Sequence, residues 1–276
     1  MQEKPLKTPS KDTLAKNASQ LLQILFDRKS IRKFKITPIA DDIAEKIVEI
    51  GQRAPSACNL QTYSVVWIKK EEIREKIWNA CFAPNTIRKA PLLFVICADV
   101  RRLAKALDHL GHDHCLKHGQ GYAFNLMSIV DATLVAENMT IAAECYGLGS
   151  VFLGSALANK KVVEVLNLPR GVLPLTLLCI GYSDEQPPTR PRLPLKTVLH
   201  VDEYREVTKK EIDKFLDHMD LVLDKEGYYQ KYSRRKPDYH YRDHIKSKTA
   251  MRVSDKGEDE TVATVRKAGF FPSDPL

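Results

Sequence analysis

The sequence predicts an α/β or α+β layer fold, a sheet covered by helices. Three observations predict it. Continuous apolar runs rich in β-branched and aromatic residues occur at SVVWI (64–68), PLLFVICA (91–98) and LPLTLLCIG (173–181), and their length suits buried strands. Segments with apolar residues at helical spacing separate these runs, which calls for layers of helix against sheet. The strand runs are few, three strong and one short, whereas a full doubly wound domain would show more.

In chain order, Leu14, Ala18, Leu21, Leu22 and Leu25 give 13–27 a helical period. Ile43, Ile47, Val48 and Ile50 do the same for 41–53. After the first strand, read as buried on both faces, helices are expected at 71–81 and, past the second strand, at 99–110. Gly111, Gly119 and Gly121 make 109–121 a loop. A long, very apolar helix follows over 125–146, with Gly147 as its C-cap. A short extended piece at 151–153, a helix at 158–167 and the third strand complete the core. Pro187, Pro188, Pro191 and Pro194 turn 183–200 into an extended connector, since proline fixes φ and donates no amide hydrogen. A helix is expected over 208–230 and an irregular, charged tail over 231–276. The expected organisation is a polar arm (1–20), one domain (21–200) and a C-terminal extension (201–276), which a partner subunit would help to order.

Composition narrows the function classes. With 276 residues and 43% hydrophobic content, the chain can bury one sizeable core. No stretch has the roughly 18–20 uninterrupted apolar residues of a bilayer span, and residues 1–17 lack a signal-peptide apolar region, so a cytoplasmic location is expected. Cysteines at 58, 81, 97, 115, 145 and 179 form no Cys-x-x-Cys pair and fit a reducing compartment. The net charge of +8 arises in the first 200 residues, because 201–276 carries 16 basic and 16 acidic side chains. It is not one dense tract with stacking aromatics, so an anionic small ligand fits better than nucleic acid.

Four segments offer chemistry. Arg28-Lys29-Ser30-Ile31-Arg32 interleaves three cations with a hydroxyl, a set that grips phosphate, although a solvated helix end has similar residues. Ala54 to Gln61 (APSACNLQ) offers small residues, free amides and two side-chain amides that could edge a flat polar ring. Gly147 to Ser155 (GLGSVFLGS) permits close backbone approach, but it is no G-x-G-x-x-G fingerprint, because its steps are wrong and a helix precedes it. Arg190-Pro191-Arg192-Leu193-Pro194 holds two arginines on a stiff segment, either a second anion grip or a basic linker.

Taken in this order, the four resemble the nitroreductase family of FMN-dependent oxidoreductases over residues 20–200. The first is similar to that family's Arg-Arg-Ser-x-Arg motif and the second to its Ala-Pro-Ser-Ser-x-Asn-x-Gln-Pro-Trp signature. Asp131, Ala132, Ala136, Asn138 and the run from Ala143 to Ser150 resemble its long helix and Gly-Leu-Gly. Residues 190–194 resemble its Lys-Pro-Arg-Leu-Pro element. The resemblance implies a mixed central sheet flanked by helices in a domain-swapped homodimer, with FMN at the interface. Arg28, Ser30, Arg32, Arg190 and Arg192 would hold the phosphate and ribityl chain, supported by Lys29. Pro55, Ser56, Ala57 and Asn59 would line the ring, and the backbone amides of Leu153 and Gly154 would face flavin N5. The signature's second Ser is Ala57 here, and its Pro-Trp is absent. The ring-binding Gln of many members falls near Ala83-Pro84-Asn85, with Asn85 or Asn79 as replacement.

The implied reaction is ping-pong: NADH or NADPH delivers electrons and leaves, and a nitroaromatic, quinone or flavin then takes its place. A flavin store or sensor without turnover is the alternative. A further reading is a metal site in the loop, where His109, His112, His114, Cys115 and His118 crowd together, although their spacing matches no standard finger.

Overall fold

A computed structural model describes residues 11–81, 86–118, 120–233, 235–250 and 255–271. The chain divides into two compact units, 1–186 with 261–276, and 187–260. The boundary expected at residue 200 falls inside the second unit.

The first unit contains α1 (Lys11–Asp27), α2 (Asp41–Gly51), β1 (Tyr63–Trp67), α3 (Glu71–Cys81), α4 (Thr86–Lys89) and β2 (Leu92–Asp99). It continues with α5 (Arg101–His109), α6 (Tyr122–Cys145), β3 (Gly149–Leu153), α7 (Lys160–Val165) and β4 (Val172–Gly181). The four strands form one sheet in the order β1-β2-β4-β3, and all three ladders are antiparallel. The parallel component of the expected mixed sheet is the bridge Ser30↔Ser150 at the β3 edge.

Alternation along β2 divides the core. Leu92, Phe94, Ile96 and Ala98 face one cluster, whereas Leu93, Val95 and Cys97 face the other. In β4 the pairing shifts between Ile96↔Thr176 and Cys97↔Pro174, which leaves Leu175 as an extra residue. The bulge restores the facing, so Leu173 and Leu175 join Leu178 and Ile180 on one side despite the change of parity. On that side lie α2 (Ala44, Ile47) and α6 (Ala132, Val135, Ala136, Met139), and on the other α3 (Ile77, Ala80) and α7 (Val162). Each fully buried large aliphatic side chain here stabilises the fold by roughly 1.5–3 kcal/mol.

α6 is long and apolar enough to cross a bilayer by length and composition, yet it serves as the core helix, with half of its apolar window buried inside the fold. It begins three residues before the expected start.

Other expectations need correction. SVVWI lies at the sheet edge and from Ser64 to Trp67 is half-buried rather than buried: Val65 and Trp67 pack on one core cluster and Val66 and Ile68 on the other, but among the described residues no strand pairs along its outer side. The helix expected over 208–230 is broken. α9 (Lys209–Glu226) ends at Gly227, whose φ of 60° closes it in the left-handed region, and α10 (Tyr228–Ser233) follows. The tail expected to be irregular carries α11 (Tyr241–Ala250) and α12 (Asp255–Lys267). Its end is tied to the first core: Val265, Ala268 and Phe270 are buried there, and Asn125 Nδ2 donates to Gly269 O (3.0 Å) and Phe270 O (3.1 Å).

The second unit contains α8 (Leu195–Val198), α9, α10 and α11, around Met219, Leu223, Tyr228 and Tyr229.

Candidate functional site

The basic cluster follows α1 as an extended segment laid on the sheet edge. Ile31 N donates to Ser150 O at 2.9 Å, Lys35 N to Tyr182 O at 2.9 Å, and Asp184 N to Lys33 O at 2.9 Å. Ile31 and Phe34 are buried as anchors, so Arg32 and Lys33 face outward. Gly149 permits this approach, because a Cβ there would sit 2.5 Å from Ile31 Cγ1. Glu185 Oε1 accepts from the amides of Arg32 (2.6 Å) and Lys33 (3.1 Å), which pins the strip.

Beside that strip, Arg28 lies with its guanidinium carbon 5.9 Å from the Phe152 ring centroid. Among the described residues its buried Nε meets no hydrogen-bond partner, and neither does the buried Ser150 Oγ. A buried donor left unmade costs about 1–3 kcal/mol, so two at one edge suit an incoming anion. Glu144, at the end of α6, is raised above the usual carboxylate range by burial, against the pull of Arg28 and Lys29. The residues present therefore fit the phosphate end of the expected flavin.

The Pro55–Gln61 loop joins α2 to β1. Cys58 (φ 50°), Asn59 (φ 55°) and Gln61 (φ 53°) all lie in the left-handed region, which side chains other than glycine adopt at a cost of order 1–3 kcal/mol each. Asp131, buried in the middle of α6, holds both flanks of the loop. Its Oδ1 accepts from Ala57 N (2.9 Å), and its Oδ2 from Thr62 N (3.3 Å) and Thr62 Oγ1 (2.8 Å). Ser56 Oγ accepts from Gln61 N at 3.2 Å. Pro55, Ser56 and Ala57 then form one wall of an open apolar cleft whose other wall is Met127, Val130 and Leu134 of α6.

Asp131 is thus a site residue that sequence reasoning left without a role. The signal was a carboxylate inside an otherwise apolar helix, since a buried charge needs partners.

Leu153 ends β3, and its carbonyl accepts from Thr176 Oγ1 at 3.2 Å. Gly154 follows, and a Cβ there would meet no protein atom within 4 Å, so the space in front of this turn is open. Arg190 and Arg192 belong to the 187–260 unit. Arg190 stacks on Tyr228, its guanidinium carbon 3.3 Å from the ring centroid, and donates to Tyr228 Oη. Arg192 Nη1 donates to Arg190 O at 3.0 Å.

The histidine loop forms no metal constellation among the described residues, where no three of His, Cys, Asp and Glu converge. His114 is buried and accepts from Lys117 N at Nδ1 (3.2 Å), which leaves Nε2 as the donor to Asp108 Oδ1 (3.2 Å). His118 Nε2 lies 2.6 Å from Asp113 Oδ1. His109 and His112 are exposed, and Cys115 is half-buried. Asn79 is exposed on α3, whereas Ala83, Pro84 and Asn85 lie outside the described residues.

Comparison with known proteins identifies the family of the chain. The model of the Nitroreductase family matches residues 25–182. A protein named FMN reductase (NAD(P)H) from Bacillus subtilis (strain 168) is 34% identical over 187 residues, 67% of this chain and 75% of its own. An NADPH-dependent oxidoreductase from Staphylococcus aureus (strain MRSA252) is 37% identical over 179 residues, 63% of this chain and 70% of its own. Among solved structures, the NfrA1 nitroreductase from B. subtilis superposes with a TM-score of 0.78 at 26% identity, covering 88% of this chain and 98% of that one. An NADPH:FMN oxidoreductase from Vibrio harveyi complexed with NAD+ gives 0.73 at 26% identity, covering 90% and 97%.

Proposed function

The chain belongs to the nitroreductase family, and on that premise we propose that it is an FMN-dependent oxidoreductase drawing electrons from NADH or NADPH. The single observation that carries this reading within the chain is the pair of unmade donors, Arg28 Nε and Ser150 Oγ, buried beside the basic strip. Arg28, Ser30 and Arg32, with Arg190 and Arg192, would hold the phosphate and ribityl chain, and Lys29 would add charge. Pro55, Ser56, Ala57 and Asn59 would line the ring on a loop whose shape Asp131 maintains. The backbone amides of Leu153 and Gly154 would face N5, where fixed dipoles favour added negative charge. When bound, FMN supplies the redox chemistry, and the protein supplies position, electrostatics and exclusion of competing reactions.

Donor and acceptor would use one cleft in turn, which is the ping-pong scheme, and the acceptor would be a nitroaromatic, a quinone or a flavin. A homodimer is the proposed assembly. The support is an exposed apolar row on α6 (Tyr122, Leu126, Val130, Leu134) at helical spacing, continuous with the open wall of the Pro55–Ala57 cleft. The proposed working arrangement is a domain over 21–200 with an arm (1–20) and an extension (201–276) that engages the partner subunit up to about residue 260 and then returns to its own core, in a soluble cytoplasmic protein.

The test is spectroscopic and kinetic. Purified protein should be yellow or take up FMN, NADPH or NADH should bleach it in stopped flow, and an acceptor should restore the colour with parallel-line steady-state kinetics. Flavin binding without bleaching would mean storage rather than turnover. Arg28→Ala should weaken FMN binding at least about tenfold, the contribution of one charge-assisted pair.

A further inference from the structure

Away from the basic strip and the Pro55–Gln61 loop, the first unit holds a cavity of about 260 Å³ between α5, the start of α6 and the C-terminal segment. It shares no lining residue with either. Arg101, Lys105 and Arg170 line it together with Asp108. Among the described residues, none of these three cations has a carboxylate within ion-pair distance, and Asp108 is already met by His114 Nε2 at 3.2 Å. Like charges gathered in one concavity raise its potential and draw in an anion.

The walls are fixed by hydrogen bonds that leave the cationic groups donors to spare. Arg101 Nη1 donates to Arg170 O at 3.2 Å, and the other N–H groups of that guanidinium have no protein acceptor among the described residues. Gly269, at φ 79°, would place a Cβ 3.0 Å from Arg170 Nε, so glycine at this turn lets the arginine lie flat against it. Asn125 also lines the cavity. Its Nδ2 is held by two carbonyls, and among the described residues its buried Oδ1 meets no donor.

We propose that this cavity is a second small-molecule site, for a phosphate monoester. A tetrahedral dianion uses two guanidinium forks and an ammonium more fully than a single carboxylate does. The volume is slightly below the roughly 300–1,000 Å³ of ordinary ligand pockets, so a sugar phosphate fits and a dinucleotide does not. The site does not rest on the flavin reading, because none of its groups belongs to the flavin constellation.

The experiment is calorimetric titration of the full chain loaded with FMN and freed of unbound flavin, which is itself a phosphate monoester, so that the flavin's own phosphate grip is already engaged. Ribose 5-phosphate is the probe, ribose the neutral control and citrate the carboxylate control. Ribose 5-phosphate should bind, ribose should not, and citrate should bind more weakly. The double variant Lys105→Gln/Arg170→Gln, both exposed positions, should weaken the phosphate probe at least about tenfold, as loss of charge-assisted contacts implies. Its flavin absorbance should match the parent. Arg101→Gln provides an independent variant with the same expected direction. No heat with ribose 5-phosphate at millimolar concentration, equal binding of ribose, a preference for citrate, or unchanged affinity in both variants would overturn the proposal.

Discussion

The two compact units are held by different physics. In the first, β2 is buried along its whole length, and Phe94, Ile96, Leu177 and Leu178 are closed from solvent. Burial pushes the Cys97 and Cys179 thiols up to about 12, so they behave as small hydrophobes rather than nucleophiles. In the 187–260 unit the apolar core is a handful of side chains, and directional contacts take over. Tyr229 meets Tyr228 and Tyr239 edge-on at 5.7 and 5.1 Å, Arg242 pairs with Asp217 and Asp220, and Arg205 pairs with Glu211. A small unit cannot enclose enough apolar surface, so rings, caps and ion pairs must order it. The apolar core of the first unit should therefore be insensitive to salt, whereas the contacts that order the second respond to salt and pH.

The largest expected effect lies in the apolar core. Leu177→Ala should lower unfolding free energy by about 2–5 kcal/mol in denaturant titration, without dependence on salt. A loss under about 1 kcal/mol would break the contrast between the units.

Next comes the polar exception inside that core. Asp131→Ala removes the acceptor for three hydrogen bonds to the loop and should cost about 3 kcal/mol, with weakened FMN binding. Asp131→Asn, which retains one carbonyl acceptor, should restore part of both. Equal FMN affinity in all three proteins would separate the loop's shape from the cofactor.

In the second unit, Tyr229→Leu should cost about 1–2 kcal/mol beyond any change in area, read from the local melting of α9 and α10 by hydrogen exchange. Thr208 caps α9 in a box with Glu211, and Thr208→Ala should cost about 1 kcal/mol, seen as fraying of the first turn.

The smallest effects are those of pH. Hydrogen bonds from Arg205 and Thr208 hold the Glu211 carboxyl down to about 2, so its contribution is complete above the ordinary carboxylate value and is lost as pH falls toward 2. The hydrogen bond to Asp224 raises His240, so its contribution is complete below the ordinary imidazole value and is lost as pH rises through the raised one. Hydrogen-exchange protection factors in α9, which remove the intrinsic pH dependence of exchange, should be greatest between these limits. His240→Gln should remove the alkaline loss, and Glu211→Gln the acid one.

How much of this was legible in the sequence depended on the range of the interactions. The strands at 91–98 and 173–181 and the helix from Asp41 could be read because their signals are local runs and periods. Residues 261–271 could not. Val265 and Ala268 sit among charged neighbours, and their burial depends on a core built from residues far earlier in the chain. The basic strip was legible as chemistry. Its lie along β3 was not, because that rests on Gly149 meeting Ile31. Asp131 was visible as an anomaly, but its partners stand 69 and 74 residues away.

By itself, the sequence determined the fold class, the four strands and, α4 apart, the helices before residue 186, the family and the chemical character of the residues that would grip a flavin. These follow from composition and short-range pattern, which need no partner in space. Tertiary structure alone decided which helices cover each face of the sheet, how Asp131 holds a left-handed loop, and that Arg101, Lys105 and Arg170 share one cavity. Those depend on closing long loops of chain, and nothing in a residue's neighbours along the sequence specifies which distant group it will meet.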